Sequence, residues 1–190
     1  MNASKWLWLI CLLSFNSATW AAPLHKAYAP LLKNIAYSPL EELHIIGLDV
    51  DGDKNWRWAT WSDSSKEGSA VNLMLLMKAK KNVVITWGVN KQDAYEPMVI
   101  RIVNWRFGQH PIVAFTYRLG AQAQQVELYG LDEKNRPLLL DTQLGEQIEW
   151  RIGTQGQTVL SLYNKPDGHL IPICYSWQKE KRHLELLPCP

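Results

Sequence analysis

The chain has 190 residues, 47% of them hydrophobic and 11% aromatic, with 20 basic and 18 acidic side chains and a formal charge of +2. Such a chain is too apolar for disorder and too evenly charged for a dedicated nucleic-acid binder. Ordinary counts of Gly (11) and Pro (10) exclude fibrous and low-complexity classes, leaving one globular domain with an unusual ten Trp.

In chain order, Lys5 precedes an apolar run from Trp6 to Phe15, and small and polar residues follow from Asn16 to Ala22. A basic start, a short apolar stretch and a small-residue exit predict a signal peptide over residues 1–21, with Thr19 and Ala21 at the small-residue positions. The stretch is too short to span a bilayer, so the expectation is a periplasmic or secreted domain over residues 22–190, with no transmembrane span after cleavage. Cys11 lacks the small residues just before it that lipidation requires.

Leu24, Ala27, Tyr28, Leu31, Leu32 and Ile35 recur at helical spacing and predict a short N-terminal helix ending near Ser38-Pro39. From Leu43 onward the signal changes to short runs rich in Val, Ile, Trp and Tyr. They cover 43–48, 56–61, 71–77, 83–87, 98–105, 112–118, 126–129, 138–140, 148–152, 159–163, 170–177 and 183–190. Asp51-Gly52, Gly88, Gly108, Gly120, Gly130, Gly145, Gly153 and Pro166-Asp167-Gly168 punctuate them as turns. The expected fold is an all-β antiparallel meander of about a dozen short strands, arranged as an incomplete blade-like array, a sandwich or a barrel.

Asp49, Asp51 and Asp53 stand at relative positions 1, 3 and 5 of a turn, a spacing of hard oxygens that suits calcium. Asp49-x-Asp51-Gly52-Asp53, lying between two apolar strands, resembles the aspartate loop of FG-GAP-type propeller repeats. The resemblance implies a blade-like hairpin and a calcium ion as the one candidate cofactor, with Asp49, Asp51 and Asp53 as ligands. Lys54 replaces the glycine of that motif and Arg57 its later acidic ligand, and an Asp-Gly turn capped by its own carboxylates accounts for the same residues.

The next run holds Trp56, Trp58 and Trp61, with Arg57 among them. Trp56 and Trp58 share one face of a strand and Arg57 takes the other. Two indoles in a row either stack on sugar rings or fill an inter-sheet core. Further on, the segment starting Leu119-Gly120 matches the segment starting Ile152-Gly153, and with Gly88 the glycines recur at about 33 residues, the spacing of a repeated β unit. Regular hairpins produce the same period without ancestry.

With Cys11 removed, Cys174 and Cys189 remain as an even pair in a disulfide-permitting compartment. A hairpin centred between residues 181 and 182 would put them opposite one another, and the bridge would contribute about 3 kcal/mol by constraining the unfolded chain.

The histidines His25, His44, His110, His169 and His183 have no ligand spacing, and no nucleophile elbow or phosphate loop is present. Pairs such as Glu146 with Glu149 carry no mark beyond surface charge. The expected function is therefore a non-catalytic binding or interaction protein of the envelope or extracellular space. A Trp-rich β surface with Trp56, Arg57, Trp58 and Trp61 would meet a partner protein or a glycan, and no nucleic acid. The alternatives are a glycan-active envelope enzyme with a loop-borne carboxylate pair and an accessory subunit that binds by strand addition.

Overall fold

A computed structural model describes residues 48–49, 56–63, 70–79, 82–165 and 169–190. The expected signal peptide and the helix from Leu24 lie outside the described residues, as do Asp51 and Asp53. Among the described residues all regular elements are strands, and they form three antiparallel sheets of four. The first sheet holds β1 (Leu48–Asp49), β2 (Trp56–Asp63), β3 (Ala70–Ala79) and β4 (Asn82–Gln92). The second holds β5 (Ala94–Phe107), β6 (His110–Leu119), β7 (Ala123–Leu131) and β8 (Pro137–Gly145). The third holds β9 (Gln147–Ile152), β10 (Thr158–Asn164), β11 (Ile171–Gln178) and β12 (His183–Leu187). Each sheet is a meander in chain order, so the fold is a row of three blade-like units.

The second sheet packs on both others. On one face Ile100, Val113, Phe115, Tyr117 and Tyr129 meet Trp58, Val71, Leu73 and Leu75 of the first sheet. On the other, Val103, Trp105, Ile112, Ala114, Val126 and Leu128 meet Leu160, Leu162 and Trp177 of the third. This explains why Ile112-Val113-Ala114-Phe115 is a continuous apolar run: a strand covered on both faces has no solvent side to mark with polar residues. Fully burying a Val, Leu, Ile or Phe side chain contributes about 1.5–3 kcal/mol relative to exposure, and Ala114 contributes less.

The Trp residues fasten the second layer to the third at polar as well as apolar atoms. Trp105 Nε1 donates to the carbonyl of Thr158 at 3.2 Å, and Trp177 Nε1 donates to the carbonyl of Arg106 at 2.9 Å. Trp105 stands edge-on to Trp150 at 5.2 Å and stacks with Trp177 at 6.5 Å between centroids. These rings key one sheet to another.

Single residues switch the chain between sheets. Asp93, with φ of 56°, lies between β4 and β5, and Glu146 lies between β8 and β9. The expected turns at Gly88 and Gly130 are corrected: Gly130 lies inside β7 opposite Leu138, and Gly88 lies inside β4 opposite Met74, where the local irregularity is a bulge, since Leu75 faces Trp87 while Leu76 faces Ile85. The extra residue, Thr86, donates its hydroxyl to the Leu75 carbonyl at 3.0 Å. The period near 33 is not the period of the sheets. Gly120 sits between the second and third strands of its sheet, whereas Gly153 sits between the first and second of the next.

Cys174 and Cys189 are bridged, with Cα atoms 5.2 Å apart. The expected register is corrected by two residues, because Gln178 faces His183 and Cys174 faces Leu187. Cys189 therefore comes from the tail beyond β12, which the bridge holds to β11.

Two glycines separate backbone need from accident. A Cβ at Gly130 would stand 2.8 Å from the Phe107 ring, whereas one at Gly88 would meet nothing closer than 3.7 Å. Gly130→Ala is expected to lose about 1–3 kcal/mol in denaturant unfolding, and Gly88→Ala to change stability by less than about 1 kcal/mol. Equal losses would contradict this packing.

Candidate functional site

Trp56 and Trp58 do share a face of β2, as their pairing with Met77 and Leu75 requires, but that face looks onto the second sheet. Trp58 is 1% exposed, edge-on to Trp87 at 5.9 Å and tilted against Tyr129 at 6.0 Å. Its ring faces are occupied by protein and offer nothing to a sugar. Trp56 is half-buried against the same core. Arg57 points its Nη1 at the Trp56 carbonyl, 2.6 Å away, and lies on the opposite face of the strand. Trp61 belongs to β2. Of the aspartates, Asp49 lies in β1 directly across from Arg57, so a cation occupies the neighbouring register position.

The densest chemistry in the described residues lies between the first and second sheets, and it was not expected. Gln125, Glu127 and Tyr129 alternate on one face of β7, and Tyr117 of β6 stands opposite Gln125. Glu127 is 2% exposed. Its Oε1 accepts from the Tyr117 hydroxyl at 2.9 Å and from Gln125 Nε2 at 2.9 Å, and its Oε2 accepts from the Tyr129 hydroxyl at 2.6 Å. Lys91 Nζ of β4 completes the cluster at 2.7 Å from Oε1. Gln125 Nε2 also reaches the Tyr117 oxygen at 2.7 Å.

A carboxylate without water needs such donors, because an unpaired buried charge costs several kcal/mol. Burial first, and then the adjacent Glu127, push both phenols well above their ordinary value. The tyrosines are thereby kept as neutral donors. The sequence signal was the polar alternation Gln125-x-Glu127-x-Tyr129, which on a strand open to solvent would mark the wet face.

Other acidic groups are engaged locally. Glu149 accepts from Arg151 at 2.7 and 3.0 Å, from Gln147 at 2.6 Å and from Tyr163 at 3.3 Å. The Arg151 hydrogen bonds hold its carboxyl below the usual range. Glu146 accepts the Lys165 backbone N–H at 3.0 Å. Among the described residues no three His, Cys, Asp or Glu side chains converge as a metal-holding group.

The third sheet presents an apolar surface at its edge. Ile171 and Ile173 share the face of Tyr175 and Trp177 on β11, and Leu186 of β12 stands directly across from Tyr175. Tyr175 and Trp177 pack into the core against the second sheet. Ile171, Ile173 and Leu186, by contrast, are 51%, 37% and 66% exposed. In comparisons with family models, curated proteins and solved structures, nothing matches this chain.

The Glu127 cluster makes two measurable demands. Glu127→Ala strands Lys91 and two hydroxyls and is expected to lose about 3–5 kcal/mol of unfolding free energy. The phenols ionise near 10.0 once unfolded but only at higher pH when folded. Above pH 10 the folded state therefore holds protons that the unfolded state has released. Stability should be full below that pH and fall above it, by up to about 1.4 kcal/mol per pH unit per tyrosine. A Tyr117→Phe, Tyr129→Phe variant should flatten that decline in unfolding measured from pH 8 to 12. An unchanged slope contradicts the arrangement.

Proposed function

We propose that this is an exported, non-catalytic interaction protein of the cell envelope or extracellular space, which receives a partner protein at the β11–β12 edge of its third sheet. The observation that carries the reading is the exposure of Ile171, Ile173 and Leu186 on one face of two adjacent strands. Isolated exposed apolar residues are ordinary, but three contiguous ones at a sheet edge form a surface suited to apolar contact. β12 ends its sheet, so an extended segment of the partner adds to it through main-chain hydrogen bonds. Its apolar side chains then alternate onto the exposed face. Pro188 and Pro190, which lack N–H donors, limit that pairing to the β12 residues before them.

Export is supported by the leader-like residues 1–21 and by the Cys174–Cys189 bridge, which suits an oxidising compartment. The burial of Trp58 moves the recognition surface away from the Trp row and favours a protein partner over a glycan. The Asp49–Asp53 loop, on its resemblance to FG-GAP repeats, enters the proposal as a calcium site. Calcium should then raise the thermal unfolding midpoint relative to chelator, and equal midpoints would remove it.

The partner surface is tested with Ile173→Asp and Leu186→Asp together. These are exposed positions, where substitutions shift stability by only about 0.5 kcal/mol each. The wild type should cross-link to one dominant envelope protein in its native membrane fraction, and the double variant should lose it at an unchanged melting temperature. Retention by the variant overturns the assignment of this face.

A further inference from the structure

Independently of the β11–β12 face, three turns converge at one end of the second and third sheets. The β5–β6 turn with Gly108 and Gln109, the β7–β8 turn from Asp132 to Arg136 and Arg182 of the β11–β12 turn enclose a cleft of about 590 Å³. That volume lies in the range of small-molecule sites, about 300–1,000 Å³. Its lining includes the apolar Phe107, Leu131 and Leu138. Phe107 lies close over Gly130, where no side chain intervenes.

The lining sets Asp132 and Glu133 against Lys134, Arg136 and Arg182, so its charges leave a net +1. Asp132 accepts from Arg136 Nε at 2.7 Å and from the backbone N–H groups of Lys134 and Arg136 at 2.8 and 2.9 Å. Arg136 Nη2 also lies 2.7 Å from Asp132 Oδ2, so these two charges neutralise each other. Lys181, the neighbour of Arg182, is 3.5 Å from Glu185. Lys134 and Arg182 have no carboxylate partner among the described residues. The Arg182 guanidinium instead lies over the Phe107 ring, 5.3 Å from its centroid.

Both turns that carry these cations hold a non-glycine residue in the left-handed region, Asn135 at φ 57° and Arg182 at φ 56°. That conformation costs about 1–2 kcal/mol for an ordinary side chain such as Arg182 and less for an asparagine. At the third turn the same region falls on Gly108, where it costs little.

We propose that this cleft binds a small anionic ligand, with a carboxylate or phosphate group between Lys134 and Arg182 and an apolar portion against Phe107 and Leu138. Charge-assisted hydrogen bonds from a guanidinium are stronger than its contact with a ring face. Arg182 therefore turns from Phe107 to the anion and uncovers the ring for the apolar portion. A free phosphate ester and the headgroup of an anionic lipid share this chemistry, and the experiment separates them.

The protein is titrated with phenyl phosphate, with inorganic phosphate, and with phosphatidylcholine vesicles with and without phosphatidylglycerol. Calorimetry and the backbone amide resonances of Gly108, Lys134 and Arg182 report binding. Arg182→Asn removes the guanidinium and suits the left-handed turn, and Lys134→Gln removes the ammonium. Phenyl phosphate should bind saturably and more tightly than inorganic phosphate, and each variant should weaken it roughly tenfold at an unchanged melting temperature. Binding confined to phosphatidylglycerol vesicles and lost in the double variant supports the site with a lipid as its source. Absence of saturable binding by every probe, or equal binding by wild type and double variant, overturns the proposal.

Discussion

A strand buried on both faces has no solvent side on which to place polar residues, and the inner strands β6 and β7 of the second sheet are such strands. They must supply apolar side chains in two directions, and β6 does so by sending Val113 and Phe115 one way and Ile112 and Ala114 the other. The outer two layers depend on that supply. Without the second sheet, Trp58 and Leu75 on one side and Leu160 and Trp177 on the other would lie on open sheet faces.

The same constraint makes Glu127 intelligible. A carboxylate placed on a doubly covered strand must find its whole set of donors inside the protein, and it finds four, from Tyr117, Gln125, Tyr129 and Lys91. Lys91 contributes the charge from the first sheet, two residues before the single-residue switch at Asp93. An ion pair beside that switch favours one register of the two sheets over sliding alternatives, since a slip would strand the charge at a cost of several kcal/mol. Apolar packing supplies the bulk of the attraction between the layers. The hydrogen-bonded cluster supplies direction, as do the two indole N–H groups between the second and third sheets.

Strand positions were legible because they rest on local chemistry. Each apolar run after Leu48 and before the C-terminus coincides with a strand, and the polar stretch Lys179–Arg182 is the turn between β11 and β12. Gly88 misled because a glycine inside a strand and a glycine in a turn look alike in one dimension, and only the cross-strand register shows the bulge beside it. The glycine period misled for a related reason: hairpins recur at a regular spacing whichever pair of strands they join. The cysteines pair although Cys174 faces Leu187, because Cys189 lies past the end of β12, where the tail is not bound to the ladder. The burial of Trp58 and Glu127 leaves no mark in the local sequence. Alternation assigns a residue to one of two faces without saying which is covered, and here the Trp58 face of β2 and both faces of β6 and β7 are interior.

The all-β meander, its strand order along the chain and the two cysteines of the bridge were legible in the sequence alone. These follow from side-chain alternation, turn chemistry and parity, which need no distant partner. Which face of each strand is wet depends on the packing of the sheets. That packing put Trp58 in the core, enclosed Glu127 with its donors, left Ile171, Ile173 and Leu186 exposed, and gathered three turns around one cleft. Those outcomes depend on which sheet lies against which, and layer packing joins residues far apart in the chain, where a local pattern carries no information about its neighbours.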